Sequence, residues 1–174
     1  MTKGGSYVHI HACCFTGHRQ ISPAEQPLLV RETDAAIAAV YGMGCRDFYA
    51  GGAIGFDTLA ASRVLLFRQR HLDVHLYLIL PCRDQCRSWS EGEICTYRDL
   101  QNASDGYRYI RDAYDPHVMR DRNAALVAES DACIAYLLRP ISGAAQTVRM
   151  AKKAGHLVIN LADEKYRRCI PKEN

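Results

Sequence analysis

The stretch Phe48-Tyr49-Ala50-Gly51-Gly52-Ala53-Ile54-Gly55-Phe56-Asp57 constrains this chain more than any other. It reads as a short strand, a glycine-rich turn and the first turn of a helix. Such a turn lets backbone N–H groups approach a phosphate closely, with the positive end of a helix dipole behind them. A strand that feeds a helix in this way belongs to an α/β layer architecture, so the remaining sequence is read for further strand–helix pairs.

They recur along the whole chain. Val8 to Phe15 alternates and is rich in strand formers. Ser22-Pro23-Ala24-Glu25 has the spacing of a capping box with proline at the first helical position. Leu29, Thr33, Ala36, Ile37 and Val40 then recur on one helical face, and Gly42 and Gly44 close the helix. Asp47–Ala50 is the second strand, and Phe56, Leu59, Ala60, Val64 and Phe67 line the next helix. Val74–Leu80 is a third strand, followed by a polar loop with the only tryptophan, Trp89, and a helix over roughly Glu91–Ala103. Tyr107–Ile110 reads as a short strand, Asp115-Pro116 opens a helix running to Glu129, and Ala132–Leu138 is a strand. Ala144–Ala154 is a helix and Leu157–Leu161 the last strand. This alternation predicts one domain over 1–174: a mainly parallel, doubly wound sheet of about five to six strands with helices on both faces. Its core spans about 7–162, with a charged tail over 163–174.

Composition narrows the function classes. Lysine and arginine number 22 against 19 acidic residues, a formal charge of +3, which is no basic signature. On this ground nucleic acid is not an expected partner. No apolar run approaches the ~20 residues of a membrane span, and no signal peptide is apparent, so the expectation is a cytoplasmic protein with no membrane association. Among the eight cysteines, Cys13, Cys14, Cys45 and Cys133 fall in or beside expected core strands. Cys82 and Cys86 have a zinc-like spacing, with Cys95 further on, but no second matched pair follows, so no metal is assigned.

In a parallel sheet the strand C-termini share one edge, where ligands bind. Three loops reach that edge: Thr16-Gly17-His18-Arg19, Gly51-Gly52-Ala53-Ile54-Gly55 and Ser142-Gly143-Ala144-Ala145-Gln146-Thr147. The second is neither the dinucleotide fingerprint nor a Walker motif. The expected site is a phosphate or nucleotide pocket of backbone amides, hydroxyls and an amide side chain. Its ligand-binding residues are Thr16, Gly17, His18, Arg19, Gly51, Gly52, Ala53, Gly55, Asp57, Arg122, Asn123, Ser142, Gly143, Gln146 and Thr147, with Trp89 as a candidate lid. Asp57 offsets the helix dipole or accepts from a ribose or base, and Arg122 clamps a phosphate if its helix lies along the pocket.

Four motifs in order carry a resemblance: Phe15-Thr16-Gly17-His18-Arg19, Gly51-Gly52-Ala53-Ile54-Gly55-Phe56-Asp57, Met119-Arg120-Asp121-Arg122-Asn123 and Ser142-Gly143-Ala144-Ala145-Gln146-Thr147. Together, over about Ala12 to Leu161, they resemble the SLOG superfamily and more closely its YpsA-like branch. The resemblance implies a Rossmann-like fold and a nucleotide or nucleotide-derived ligand. Relatives include the LOG phosphoribohydrolases and the DprA proteins, which bind single-stranded DNA. The LOG helix motif is matched by Met119, Arg122 and Asn123, except for its final lysine. Where LOG enzymes carry a glutamate that assists glycosidic cleavage, Met150 stands, and methionine is neither a base nor a charge stabiliser.

The expected function is therefore a nucleotide-binding sensor or regulator that needs no cofactor. The alternatives are an N-glycosidase using a non-standard carboxylate (Asp57, Glu91 or Glu93) and, further off, DprA-like single-stranded DNA binding. The expected partners are a small nucleotide and, from fold-size priors, a second copy in a homodimer. No catalytic residue is assigned.

Overall fold

A computed structural model describes residues 9–164. Six parallel strands form one sheet: β1 (Ala12–Gly17), β2 (Asp47–Ala50), β3 (His75–Leu80), β4 (Gly106–Tyr109), β5 (Ala132–Tyr136) and β6 (Leu157–Asn160). Between them run α1 (Gln26–Gly42), α2 (Phe56–Arg68), α3 (Glu91–Ala103), α4 (Val118–Ala128) and α5 (Gly143–Lys153). The strand order is β4-β3-β2-β1-β5-β6. The chain winds outward from β1 to β4, then crosses back to place β5 on the other side of β1. The expected doubly wound, parallel α/β fold is the one observed. The order reverses between β1 and β5, and in open α/β sheets the ligand crevice lies at such a reversal, outside the strand C-termini.

Each face is closed by its own helices. Phe15, Phe48, Leu76, Leu78 and Ile134 are fully buried against α1, α2 and α3. Cys14, Ile79, Cys133 and Ala135 point the other way, into a second cluster with Leu126, Val148 and Ala151 of α4 and α5. Both sets come from the same strands at alternate positions. That alternation is why β5, Ala132–Tyr136, is apolar and buried throughout.

The main departures from the sequence reading are at helix starts. The capping box expected at Ser22 does not form: α1 begins at Gln26, and Ser22–Glu25 is a turn closed by Glu25 and Gln26 amides donating to the Ser22 carbonyl. Pro27 explains it. Proline lacks the N–H that a helix interior needs and is tolerated only in the first turn. A helix begun at Pro23 would bury that defect at its fifth residue. α4 likewise starts at Val118, after Asp115 accepts from the His117 amide. Strand β1 begins at Ala12, and Val8 lies outside the described residues. So does most of the expected tail.

A capping box does form at Ser90, whose hydroxyl accepts from the Glu93 amide while Glu93 accepts from the Ser90 amide at 2.8 Å. Ser90→Ala is expected to cost about 1 kcal/mol. The loss should appear as a lower urea midpoint with an unchanged m-value.

Candidate functional site

The loops after β1, β2 and β5, with the start of α4, close around a cavity of about 430 Å³ at the β1/β5 reversal. Thr16, Gly17, His18, Arg19, Ala53, Asp57, Arg122, Asn123, Ser142 and Gly143 all line it, and Trp89 forms part of its wall. Gly51, Gly52, Gly55, Gln146 and Thr147 are not in the lining. The cavity also includes Cys82, Gln85, Ser88, Tyr114, Met119 and Ala144. Four of these sit on loops after β3 and β4. Their proximity is inferable from topology, because those strands end at the same edge, but no motif marks them as part of this site, Cys82 standing out only for its spacing from Cys86.

The floor is a buried ion pair. Arg122 and Asp57 are 6% and 5% exposed, with Arg122 Nη1 3.6 Å from Asp57 Oδ2. The same Nη1 donates to the Gly51 carbonyl at 2.7 Å, and Nε donates to Asn123 Oδ1 at 2.8 Å. Burial raises the Asp57 pKa, opposed by Arg122 and by the backbone N–H groups of Ala53 and Gly51. Burial likewise lowers that of Arg122, countered by Asp57. Arginine keeps its proton throughout the practical pH range, so the Asp57 carboxyl faces a fixed positive charge. Nη2 carries none of these bonds and is the remaining terminal donor of Arg122 in a wall of the cavity.

The glycine turn has a structural task beside the phosphate contact that its composition implies. The Ala53 and Gly51 amides favour the Asp57 carboxylate, and the Phe56 amide donates to the His18 carbonyl at 3.1 Å. The Phe56 amide is thus engaged inside the protein. What the glycines permit is close approach. A Cβ on Gly51 would lie 1.7 Å from Arg122 Nη1, and one on Gly17 2.5 Å from the Phe56 Cβ. The ion pair and the loop crossing exist only because those side chains are missing.

The free donors lie across the cavity at α5. Ser142 caps this helix, its Oγ accepting from the Ala145 amide at 3.1 Å. The Gly143 and Ala144 amides precede the first intrahelical bond, made by Gln146 to the Ser142 carbonyl. They sit at the positive end of the dipole, in the cavity lining. Thr147 is fully buried, its hydroxyl donating to the Gly143 carbonyl at 3.1 Å, so it supports the turn from behind.

His18 is a strut: its Nε2 accepts from the Leu138 amide at 2.8 Å, joining the first and third loops. Burial, with Arg139 nearby, lowers its pKa, so the ring is neutral at pH 7. Arg19 reaches over the Trp89 ring at 6.0 Å. Cys82 is a buried thiol pushed up to about 11 by burial and Asp84. Cys86 packs on the core, Cys95 is exposed, and no group of three or more metal-ligating side chains converges among the described residues. Met150 packs into the α4/α5 cluster.

A shallower hollow of about 520 Å³ runs along the open edge of β4, lined by Arg83, Arg108 and Arg111. Each is paired with acid: Asp112, Glu129, and both Asp115 and Asp121. An anion there would compete with carboxylates already in place.

The chain belongs to the YspA SLOG family, whose model matches residues 25–154. It is 22% identical over 150 residues to the uncharacterized SPbeta prophage-derived protein YoqJ of Bacillus subtilis, covering 76% of this chain and 88% of that protein. It is 30% identical over 97 residues to the UPF0398 protein BH1768 of Halalkalibacterium halodurans, covering 55% of this chain and 51% of the other. Among solved structures it resembles DNA processing protein A of Helicobacter pylori, with a TM-score of 0.63 and 17% identity over 87% of this chain. It also resembles DprA of Streptococcus pneumoniae, with a TM-score of 0.63 and 14% identity over 85% of this chain. The matches span 65% and 49% of those two chains, and at such identities the likeness is one of fold. The Helicobacter pylori protein has a unique single-stranded DNA binding mode. This corrects the expectation drawn from charge balance: near-neutral net charge is no ground for setting nucleic acid aside as a partner, because local donors at one sheet edge can act whatever the total. No helix among the described residues is long and apolar enough to cross a membrane.

Proposed function

We propose that this member of the YspA SLOG family binds a nucleotide, free or as part of a single strand, in the cavity at the β1/β5 reversal. The observation that carries the reading is the convergence of free α5 amides and the Arg122 guanidinium on one cavity of about 430 Å³. The volume lies within the range of small-molecule sites. In this reading the phosphate rests on the Gly143 and Ala144 amides with Arg19 and Arg122 Nη2 beside it, and the base lies toward Trp89 and Tyr114. The role is sensing or regulation without turnover. Met150 puts a thioether where a glycosidase needs a carboxylate, and Asp57 is committed to Arg122. Single-stranded DNA binding is kept as a second reading because both fold neighbours are DNA processing proteins.

Thermal unfolding tests the proposal. A nucleotide at 100 times its Kd should stabilise the protein by about 2.7 kcal/mol. For a chain of this size that is a rise of roughly 5–10 °C in Tm. Mono-, di- and cyclic nucleotides, ADP-ribose derivatives and short single strands form the panel. A flat Tm across all of them would remove the reading. Binding by the strands alone, with a steep salt dependence, would favour the second.

A further inference from the structure

We propose that the cleft between α1, α2 and α3 is a second subsite, taking an aromatic base with an exocyclic amino group from a two-base ligand whose phosphate lies in the polar cavity. The inference rests on the nucleotide reading above and names the ligand class more narrowly.

This cleft encloses about 400 Å³ and has apolar walls from Ile21, Val30, Ile54 and Leu59. It is separate from the polar cavity, yet the two share a wall, Trp89. A mononucleotide in the polar cavity leaves this cleft empty. An indole between two hollows offers a stacking surface to rings on either side, and stacking on an aromatic side chain is indifferent to base identity. Arg19 stands at the same boundary. It lines the polar cavity, and its backbone lies so close to Gly55 of the cleft that a Cβ there would be 2.3 Å from the Arg19 carbonyl oxygen. Arg19 makes no ion pair among the described residues, and its charge, which already acts on the Glu93 carboxylate of the cleft, lies between the two hollows where a linking phosphate would pass.

The hydroxyls fix the polarity of the subsite. Thr58 donates to the Ala53 carbonyl at 2.8 Å, Ser62 to the Thr58 carbonyl at 2.8 Å and Thr96 to the Gly92 carbonyl at 2.9 Å. Each hydroxyl has spent its single proton and keeps only lone pairs for a ligand. Arg63, which also lines the cleft, has Nε and Nη2 bound to Asp34 at 2.6 Å. Glu93 adds a carboxylate. Gln26, Arg63 and Trp89 keep donors as well, but the three hydroxyls and Glu93 can only accept, and they match a ring that donates, as an exocyclic amine does.

Titration calorimetry on the whole chain tests this, comparing AMP with 5′-phosphorylated diadenylate and diadenosine diphosphate. At least one two-base ligand should bind about tenfold tighter than AMP, the worth of one stacked base. Ser62→Trp, at an exposed position, fills the cleft and should abolish that gain, leaving AMP affinity and Tm unchanged. Replacing the second adenine with unsubstituted purine should remove part of the gain. No gain from either ligand, or a gain that survives Ser62→Trp, overturns the second subsite. A gain that survives loss of the amine overturns the amino preference. Failure of all three ligands to bind overturns the inference, and the nucleotide reading falls with it only if the Tm is also flat across the whole panel above.

Discussion

Replacing Arg122 with methionine is expected to lower stability by about 3–5 kcal/mol at neutral pH, the range for removing one partner of a buried ion pair. The loss comes mainly from what remains. Asp57 is 5% exposed, and without Arg122 its carboxylate keeps only the Ala53 and Gly51 amides against the cost of burial. The Gly51 carbonyl also loses the Nη1 donor that sits 2.7 Å away.

The pH dependence supplies a signature that mere loss of packing lacks. The folded-state pKa of Asp57 is already raised by burial, and removing the nearby cation raises it further. A carboxyl group whose pKa is higher in the folded than in the unfolded state contributes a penalty that is absent below the unfolded value and grows as pH rises through the folded value. The deficit of Arg122→Met should therefore be small near pH 4 and largest at pH 7 and above. Adding Asp57→Asn should recover part of it at neutral pH, because a neutral amide can be buried with its hydrogen bonds. Urea denaturation of the three variants across pH checks both statements. A deficit independent of pH would mean that Arg122 acts by volume alone.

The same pair shows where sequence reasoning reached and where it stopped. Strand–helix alternation was legible because Ile134, Leu76 and Phe15 belong to runs whose pattern depends on local geometry. So was the gathering of three loops, since it follows from parallel strands alone. The start of α1 was misplaced because Ser22-Pro23-Ala24-Glu25 is a good local signal that Pro27 overrides four residues after Pro23. Roles inside the site were less visible. Glycines at 51 to 55 look the same in sequence whatever their amides face, and the nearness of the Gly51 and Ala53 amides to Asp57 is visible only in the tertiary structure. His18 reads as a polar loop residue until Leu138, distant in sequence, is brought to its Nε2. The apolar cleft was not read as a site, because its walls come from three helices and the loops before them, whose contact is a product of packing.

Gly55→Ala is expected to cost about 3–5 kcal/mol, combining backbone strain with overpacking against main chain. Gly55 is the N-cap of α2 at φ +90° and ψ −124°, a conformation that L side chains rarely adopt. Independently, a Cβ there would stand 2.3 Å from the Arg19 carbonyl oxygen and 2.6 Å from its Cα. Backbone cannot swing aside as a side-chain tip can, so the loop after β1 must move, and with it the His18 carbonyl that receives the Phe56 amide at 3.1 Å. Gly92→Ala is the matched control: it lies in α3 with nothing within 4 Å of an added Cβ. Alanine there should be neutral or stabilising by up to about 1 kcal/mol. Because Arg19 lines the polar cavity and Gly55 the apolar cleft, Gly55→Ala should also weaken nucleotide binding, whereas Gly92→Ala should not. Denaturant midpoints and calorimetry on the two variants decide the matter. A Gly55→Ala protein within 1 kcal/mol of its parent would show that the first two loops are not pressed together in solution, and the cavity they frame would lose its rigid wall.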